Sequence, residues 1–318
     1  MGFILLLALV LAAGGRGVPA LAAEKPFVAV IITGDLGRYR EAHEAFVEKL
    51  HAQGYGEQNL TLYVQTPNPD TMSWINSIRK AVGIGADVIV TYGAPATLSA
   101  KRESRGVPII FADVYDPVGL GLICEIGIPA KNIAGVSSKT PIETLIKTFR
   151  EISPAKTMGV LYSSIDEGSL LQLRKLEKVA EKLAIATIAV DVTSPKQMET
   201  AFSALAGRID SLFVTDCAVL ALKLKDIVDF ANAQQLPVVS QVPTLCDLGA
   251  LITLEADPIE QGEVAANLLV SLFAGIPTTR MELHTPRKVN LVINLKVARS
   301  LKLKVPFQAL SVATRVVR

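Results

Sequence analysis

Short unbroken runs of Val, Ile and Phe alternate along the chain with longer segments whose apolar residues recur at helical spacing. In the first half the runs are FVAVIIT (27–33), TLYVQ (61–65), DVIVTY (87–92) and VPIIFADV (107–114). Continuous aliphatic runs of this length predict strands of a parallel sheet covered on both faces, where neither side of the strand meets water. Between them, 38–53, 69–85 and 95–105 have the three-and-four spacing that predicts helices. Strand alternating with helix indicates a doubly wound α/β unit.

The plan then repeats. TMGVLYS (157–163), ATIAVDV (186–192), DSLFVT (210–215) and PVVSQ (237–241) predict a second set of strands, with helices over 167–183, 195–206 and 217–235. From first strand to third is about sixty residues in the first half and about fifty-five in the second, as a duplicated plan requires. Thr140-Pro141-Ile142-Glu143 fits a capping box with Pro in the first helical position. Asp257-Pro258 opens a further helix, which Gly275 closes. The joint near 137–141 is short, so two lobes should be hinged together around a ligand cleft. A chain of 318 residues is long enough for two hydrophobic cores.

Composition narrows the function. Net charge is +2 and the 32 basic residues are scattered, so no basic stripe marks a nucleic-acid partner. Residues 1–23 differ from the rest: FILLLALVLAA is too short to span a bilayer and is followed by the small-residue site Ala20-Leu21-Ala22-Ala23. That pattern predicts a secretory signal peptide cleaved near Ala22 or Ala23 and a soluble, exported mature protein, although no Lys or Arg precedes the run. Cys124, Cys217 and Cys246 show no CxxC spacing, and His43, His51 and His284 suit no metal motif. No metal or cofactor is expected.

In open α/β sheets ligands sit beyond the carboxyl ends of the strands. Six loops qualify: 33–38, 93–97, 113–119, 163–168, 215–218 and 241–246. Gly93-Ala94-Pro95 opens a helix whose free N–H groups could hold a carboxylate, or is an ordinary strand-to-helix turn. Thr97 and Ser99 read as surface residues. TGDLGRYRE (33–41) has neither dinucleotide nor P-loop spacing, and its Asp35 could cap the helix or face the cleft. Asp113 and Asp216 fall at strand ends and are assigned to the cleft, whereas Asp116-Pro117 suits a turn. Tyr92, Tyr115 and Tyr162 could stack on a ligand or simply pack. The chain lacks GxSxG, and no His falls in a cleft loop, so it reads as a binder and not an enzyme. The sharpest enzymatic rival is a two-thiol racemase using Cys124 and Cys217. Cys124 lies well beyond its strand, and an oxidising compartment suits working thiolates poorly.

ADVIVTYGAPAT, VPIIFADVYDPVGLGLI, NIAGVSSKTPIETLIKTFREISP, TMGVLYSS and VNLVINLKVARSLKLKVP resemble, in order and spacing, the substrate-binding proteins of ABC transporters, in the family with tryptophan- and tyrosine-binding members. The resemblance runs from about residue 27 to the C-terminus, and its most specific pieces are the Asp-Pro-Val-Gly turn and Ile-Asn-Leu-Lys. It implies a type I periplasmic binding fold, a monomer that closes on a small-molecule ligand and presents it to a membrane permease. By that analogy lobe 1 comprises 24–138 plus about 258–285, and lobe 2 comprises 139–257 plus about 286–318. Carried over loop by loop, it implies ligand contacts from Asp35, Gly93, Ala94, Pro95, Asp113, Val114, Tyr115, Tyr162, Ser163, Ser164, Asp216 and Gln241. The chain departs from the pattern at Gln241-Val242-Pro243, where amino-acid-binding members carry acidic residues, so purines and organic acids stay open as ligands. A sensory receptor of the same fold is a further alternative.

Overall fold

The structure, a computed structural model, describes residues 25–124 and 132–318; the expected leader over 1–23 lies outside them. The first lobe is laid down as β1 (Phe27–Ile32), α1 (Gly37–Ala52), β2 (Thr61–Gln65), α2 (Thr71–Gly83), β3 (Val88–Tyr92), α3 (Ala94–Glu103), β4 (Ile109–Val114) and β5 (Ile133–Ser137). The chain continues through α4 (Ile142–Ile152), β6 (Thr157–Tyr162), α5 (Glu167–Lys182), β7 (Ala186–Asp191), α6 (Met198–Leu205), β8 (Ser211–Val214), α7 (Ala218–Ala221), α8 (Leu224–Ala233), β9 (Val238–Ser240), α9 (Leu245–Leu248) and β10 (Ile252–Ala256). Then come α10 (Pro258–Phe273), β11 (Val289–Asn294), α11 (Leu295–Ser300), α12 (Phe307–Val312) and β12 (Arg315–Val317).

Two sheets result. One has the order β2-β1-β3-β4-β5 with every pair parallel. The other runs β12-β11-β10-β9-β8-β6-β7 and is parallel except where β11 meets β10. This is the α/β architecture of two parallel-sheet lobes that the hydrophobic pattern predicts. The central strands β3 and β4 are buried along their whole length, and β1 all but its first residue, whereas the edge strand β7 is exposed at every third or second position. Central strands carry helices on both faces, so their sequences have no polar side to show.

The lobes are stitched by late crossings. Asp257 caps α10 by accepting hydrogen bonds from the Ile259 and Glu260 N–H groups, and the helix then packs on α1, β4 and β5 of the first sheet. Gly275, at φ +86°, follows the end of α10 as expected. The chain then rejoins the second sheet as β11 and β12. The strand pattern passed over β5, β10, β11 and β12. In β5 the reason is packing: a Cβ on Gly135 would overlap the ring and carbonyl of Phe111, so small residues replace the aliphatic run.

Two local expectations are corrected. The capping box at Thr140 does not form, because its hydroxyl donates to the Leu254 carbonyl at 3.0 Å and accepts from Gln241 Nε2. The helix expected over 217–235 is broken at Leu222-Lys223. Its first turn places Ala218 in the core of the first lobe, whereas Ile227, Val228 and Ala231 bury against their own lobe. A single straight helix could not serve both.

The closest helix approach in the first lobe is between α1 and α10, where a Cβ on Gly262 would overlap the Ala42 carbonyl oxygen. Gly262→Ala should therefore destabilise by about 3 kcal/mol through overpacking against backbone. Urea denaturation checks this; a change below about 0.5 kcal/mol, the range of an uninvolved surface site, would show that the two helices have slack.

Candidate functional site

The loop after β1 is anchored before it reaches the cleft. Trp74 Nε1 donates to the Thr33 carbonyl at 2.8 Å, and the Thr33 hydroxyl donates to the Tyr92 carbonyl. That anchoring delivers Arg38, in the first turn of α1, to the space between the lobes, where it is 9% exposed. Its Nε lies 2.8 Å from Asp113 Oδ2 of the first lobe, and its Nη1 pairs with Asp216 Oδ1 of the second. Its Nη2 donates to the Tyr39 hydroxyl at 2.8 Å, and the guanidinium sits 4.4 Å from the Tyr39 ring centroid. Burial opposes the charge, but Tyr39 and Asp113 together hold the guanidinium pKa above its ordinary value.

Each partner is positioned from behind. Asp113 adopts φ +52° at a register shift between β4 and β5, and its N–H donates to Gln261 Oε1 of α10 at 3.1 Å. A bulge of this kind re-aims a side chain at the end of a strand. Asp216 is clamped by Gln172 of α5, which accepts from its N–H at 2.8 Å and donates to its carbonyl at 3.1 Å. Gly93, at φ +86°, is required because a Cβ there would overlap the Tyr39 hydroxyl. Ala94 at the start of α3 faces Gly168 at the start of α5, so the first turns of two helices from opposite lobes meet.

A third carboxyl belongs to this group. Asp166 caps α5, its Oδ1 accepting from the N–H groups of Gly168 and Ser169 at 2.8 and 3.2 Å. Burial pushes its pKa up to about 6, against the two backbone hydrogen bonds and Arg38, which favour the anion. Three carboxyls thus share the field of one guanidinium. Ser163 Oγ, Tyr92 Oη and Tyr115 Oη are buried nearby in sequence without hydrogen-bond partners among the described residues.

Other expected site residues lie elsewhere. Asp35 has a 71% exposed side chain paired with Arg40, and it does not cap α1. Val114 is buried in the first lobe's core. Tyr162 is half-buried against the second core, its hydroxyl pKa raised by burial and by Asp191 and Glu177. Ser164 is exposed, and its N–H donates to Asp191 at 2.8 Å. Gln241 is buried and bonded to Thr140, at the hinge. Thr97 and Ser99 are buried, contrary to the surface expectation, with Thr97 bonded to the Gly93 carbonyl and the Thr91 hydroxyl. Pro95 is buried in α3.

Asp116 does make the expected turn, accepting from the Gly119 N–H at 3.3 Å. It also pairs with Lys139 at 3.0 Å and with Lys175 of the second lobe. Burial would raise its pKa, yet the two lysines hold it below the usual carboxylate value. Tyr115 lies under Lys175, whose ammonium is 5.3 Å from the ring centroid. The three cysteines are free; burial and Asp166 push the Cys217 thiol up to about 12, which leaves almost no thiolate at neutral pH. Among the described residues no group of His, Cys, Asp or Glu is placed to hold a metal ion, and no helix is long and apolar enough to cross a membrane.

Comparison with known proteins finds a matching family and solved structures of the same fold. The family described as ABC transporter substrate binding protein matches residues 27–317. A curated tyrosine-binding protein of Clostridioides difficile (strain R20291) is 23% identical over 266 residues, 83% of this chain and 77% of that protein. Among solved structures, an ABC domain from Streptococcus pneumonia in complex with L-Trp superposes with TM-score 0.87 at 20% identity, covering 92% of this chain and 100% of that one. A ligand-free, open substrate binding protein with adhesive properties from Clostridium difficile gives TM-score 0.67 at 20% identity, covering 92% and 99%.

The ionisation of Asp166 leaves a thermodynamic signature. The folded carboxyl keeps its proton to about pH 6, whereas the unfolded one loses it near 3.8, so the folded state binds more protons in between. Stability from this group is therefore fully present below about pH 4 and is lost as pH rises to 6, by up to ~3 kcal/mol. Asp166→Asn keeps the capping acceptor and removes that cost. Urea midpoints should coincide for the two proteins at pH 4 and favour the variant at pH 7; equal midpoints at both would refute the buried titration.

Proposed function

Because the chain belongs to the ABC transporter substrate binding protein family, we propose that it is the extracytoplasmic receptor of an ABC importer. It closes two lobes on a small polar ligand bearing a cationic amine, an amino acid or similar, and delivers it to a membrane permease as a monomer. The observation that carries this reading is the convergence of Asp113 from one lobe and Asp216 from the other on a single buried cation. A ligand ammonium placed beside Arg38 would find carboxylates from both lobes and Asp166 as a third.

Binding and closure are then one event. A ligand that touches both lobes stabilises the closed arrangement by its differential affinity for it. Closure removes water, and each charge pair strengthens in the lower dielectric. Tyr115, Ser163 and the Gly93-Ala94 turn complete the walls. The acids that other amino-acid-binding members place near Gln241 are supplied here by Asp216 and Asp166. The expected leader fits an exported protein. The buried Cys217 thiol gives no support to a racemase.

A thermal-shift screen of amino acids, nucleobases and small acids tests the proposal. Amines should raise the melting temperature and neutral or anionic compounds should not. Asp216→Asn should weaken the retained ligand about 10- to 150-fold, the worth of a hydrogen bond to a charged group. Binding should also weaken as pH falls through 6, because a protonated Asp166 no longer attracts a cation. Turnover of a compound without retained binding would overturn the reading.

A further inference from the structure

We propose that the base of the second lobe carries a docking surface for an anionic lipid bilayer, built from Lys296, Arg299, Lys302, Lys304 and Phe307. Residues 283–318 hold eight of the chain's 32 Lys and Arg and none of its 30 Asp and Glu. The remainder, with 24 cations against 30 acids, is formally −6: basic residues are scattered along the whole chain, but acids are missing from this last segment. Of the eight, Arg315 pairs with Asp247 and Lys288 lies 3.8 Å from Asp257. Lys296, Arg299, Lys302 and Lys304 are all exposed and make no ion pair among the described residues.

The topology sets this cluster away from the cleft. Strand β11 runs antiparallel to β10, so Asn294 at its end stands beside the start of β10, opposite the carboxyl ends that face the other lobe. Asn294 caps α11 by accepting from the N–H groups of Lys296 and Val297. Leu295, Val297, Ala298 and Leu303 pack into the second lobe's core, which turns the intervening cations outward. Helix α4 packs against α12; of its acids, Glu143 is paired with Lys147, and Glu151 is exposed. Three positions after Lys304 comes Phe307, 82% exposed, on α12, which also carries Val312, 60% exposed. Clustered cations attract anionic headgroups, and an exposed aromatic beside them can enter the interface, the two signals that a lasting membrane contact needs. A single-stranded polyanion would instead call for several stacking aromatics, and the patch has one.

Cosedimentation of the full chain with vesicles of phosphatidylcholine, with and without about a third phosphatidylglycerol, tests the surface. Phosphatidylglycerol should increase binding, and each cation replaced by Glu should reduce that gain about fivefold or more. The combined Lys296→Glu, Arg299→Glu, Lys302→Glu, Lys304→Glu variant should abolish it while leaving binding to phosphatidylcholine, and any contribution of the apolar run near the N-terminus, unchanged. Phe307→Ser should lower phosphatidylglycerol-dependent binding several-fold. Circular dichroism should be unaltered in both variants. Binding independent of phosphatidylglycerol, or undiminished in the four-charge variant, overturns the proposal. So does an unaffected Phe307→Ser, because the patch would then be a generic polyanion surface.

Discussion

A guanidinium taken out of water must be matched where it stands, and Arg38 is matched from both lobes at once. The attraction compensates the desolvation only when geometry is good and the remaining donors are used, and loss of one partner leaves a buried charge uncompensated. Much of the surrounding structure can be understood as meeting that demand. Trp74 fixes the loop before α1, Gly93 leaves room for the Tyr39 hydroxyl, and Gln261 and Gln172 hold the backbones of Asp113 and Asp216. The same requirement makes the relative position of the lobes an electrostatic matter, since each supplies one carboxylate.

The fold was legible because burial on both faces leaves an unmistakable record: β3 and β4 are aliphatic throughout. What escaped was set by contacts distant in sequence. Gly135 in β5 answers to Phe111, and Thr140 answers to Gln241 and Leu254, so neither a strand run nor a capping box reports the outcome. Acids at strand ends are a positional signal, and it singles out Asp113 and Asp216, the two carboxylates that converge on Arg38. Arg38 carried no such signal, since one basic residue in a first helical turn usually faces water. Asp35, three residues earlier, drew the attention and is exposed. Asp166 lies in the expected cleft loop 163–168, but neither its capping of α5 nor its burial is legible there.

The hinge side has its own charge balance. Asp116 binds Lys139 from the connecting segment and Lys175 from the second lobe, both partly exposed, so this pairing is screened by salt far more than the Arg38 group. The two lobes therefore meet through two ionic contacts of different character, a dry one around Arg38 and a wet one around Asp116.

Asp113 and Asp116 make the contrast sharpest, since they stand three positions apart and both adopt left-handed backbone, at φ +52° and +51°. Aspartate tolerates this conformation better than most residues, at a cost of order 1 kcal/mol. The bulge at β4 and the hydrogen bond to Gln261 turn Asp113 toward Arg38. The turn through Pro117 to Gly119 then carries Asp116 to the opposite side, where lysines wait. Two acids in one loop thus serve different lobe contacts because the backbone between them reverses. The loop makes a dry lobe contact at one end and a wet one at the other.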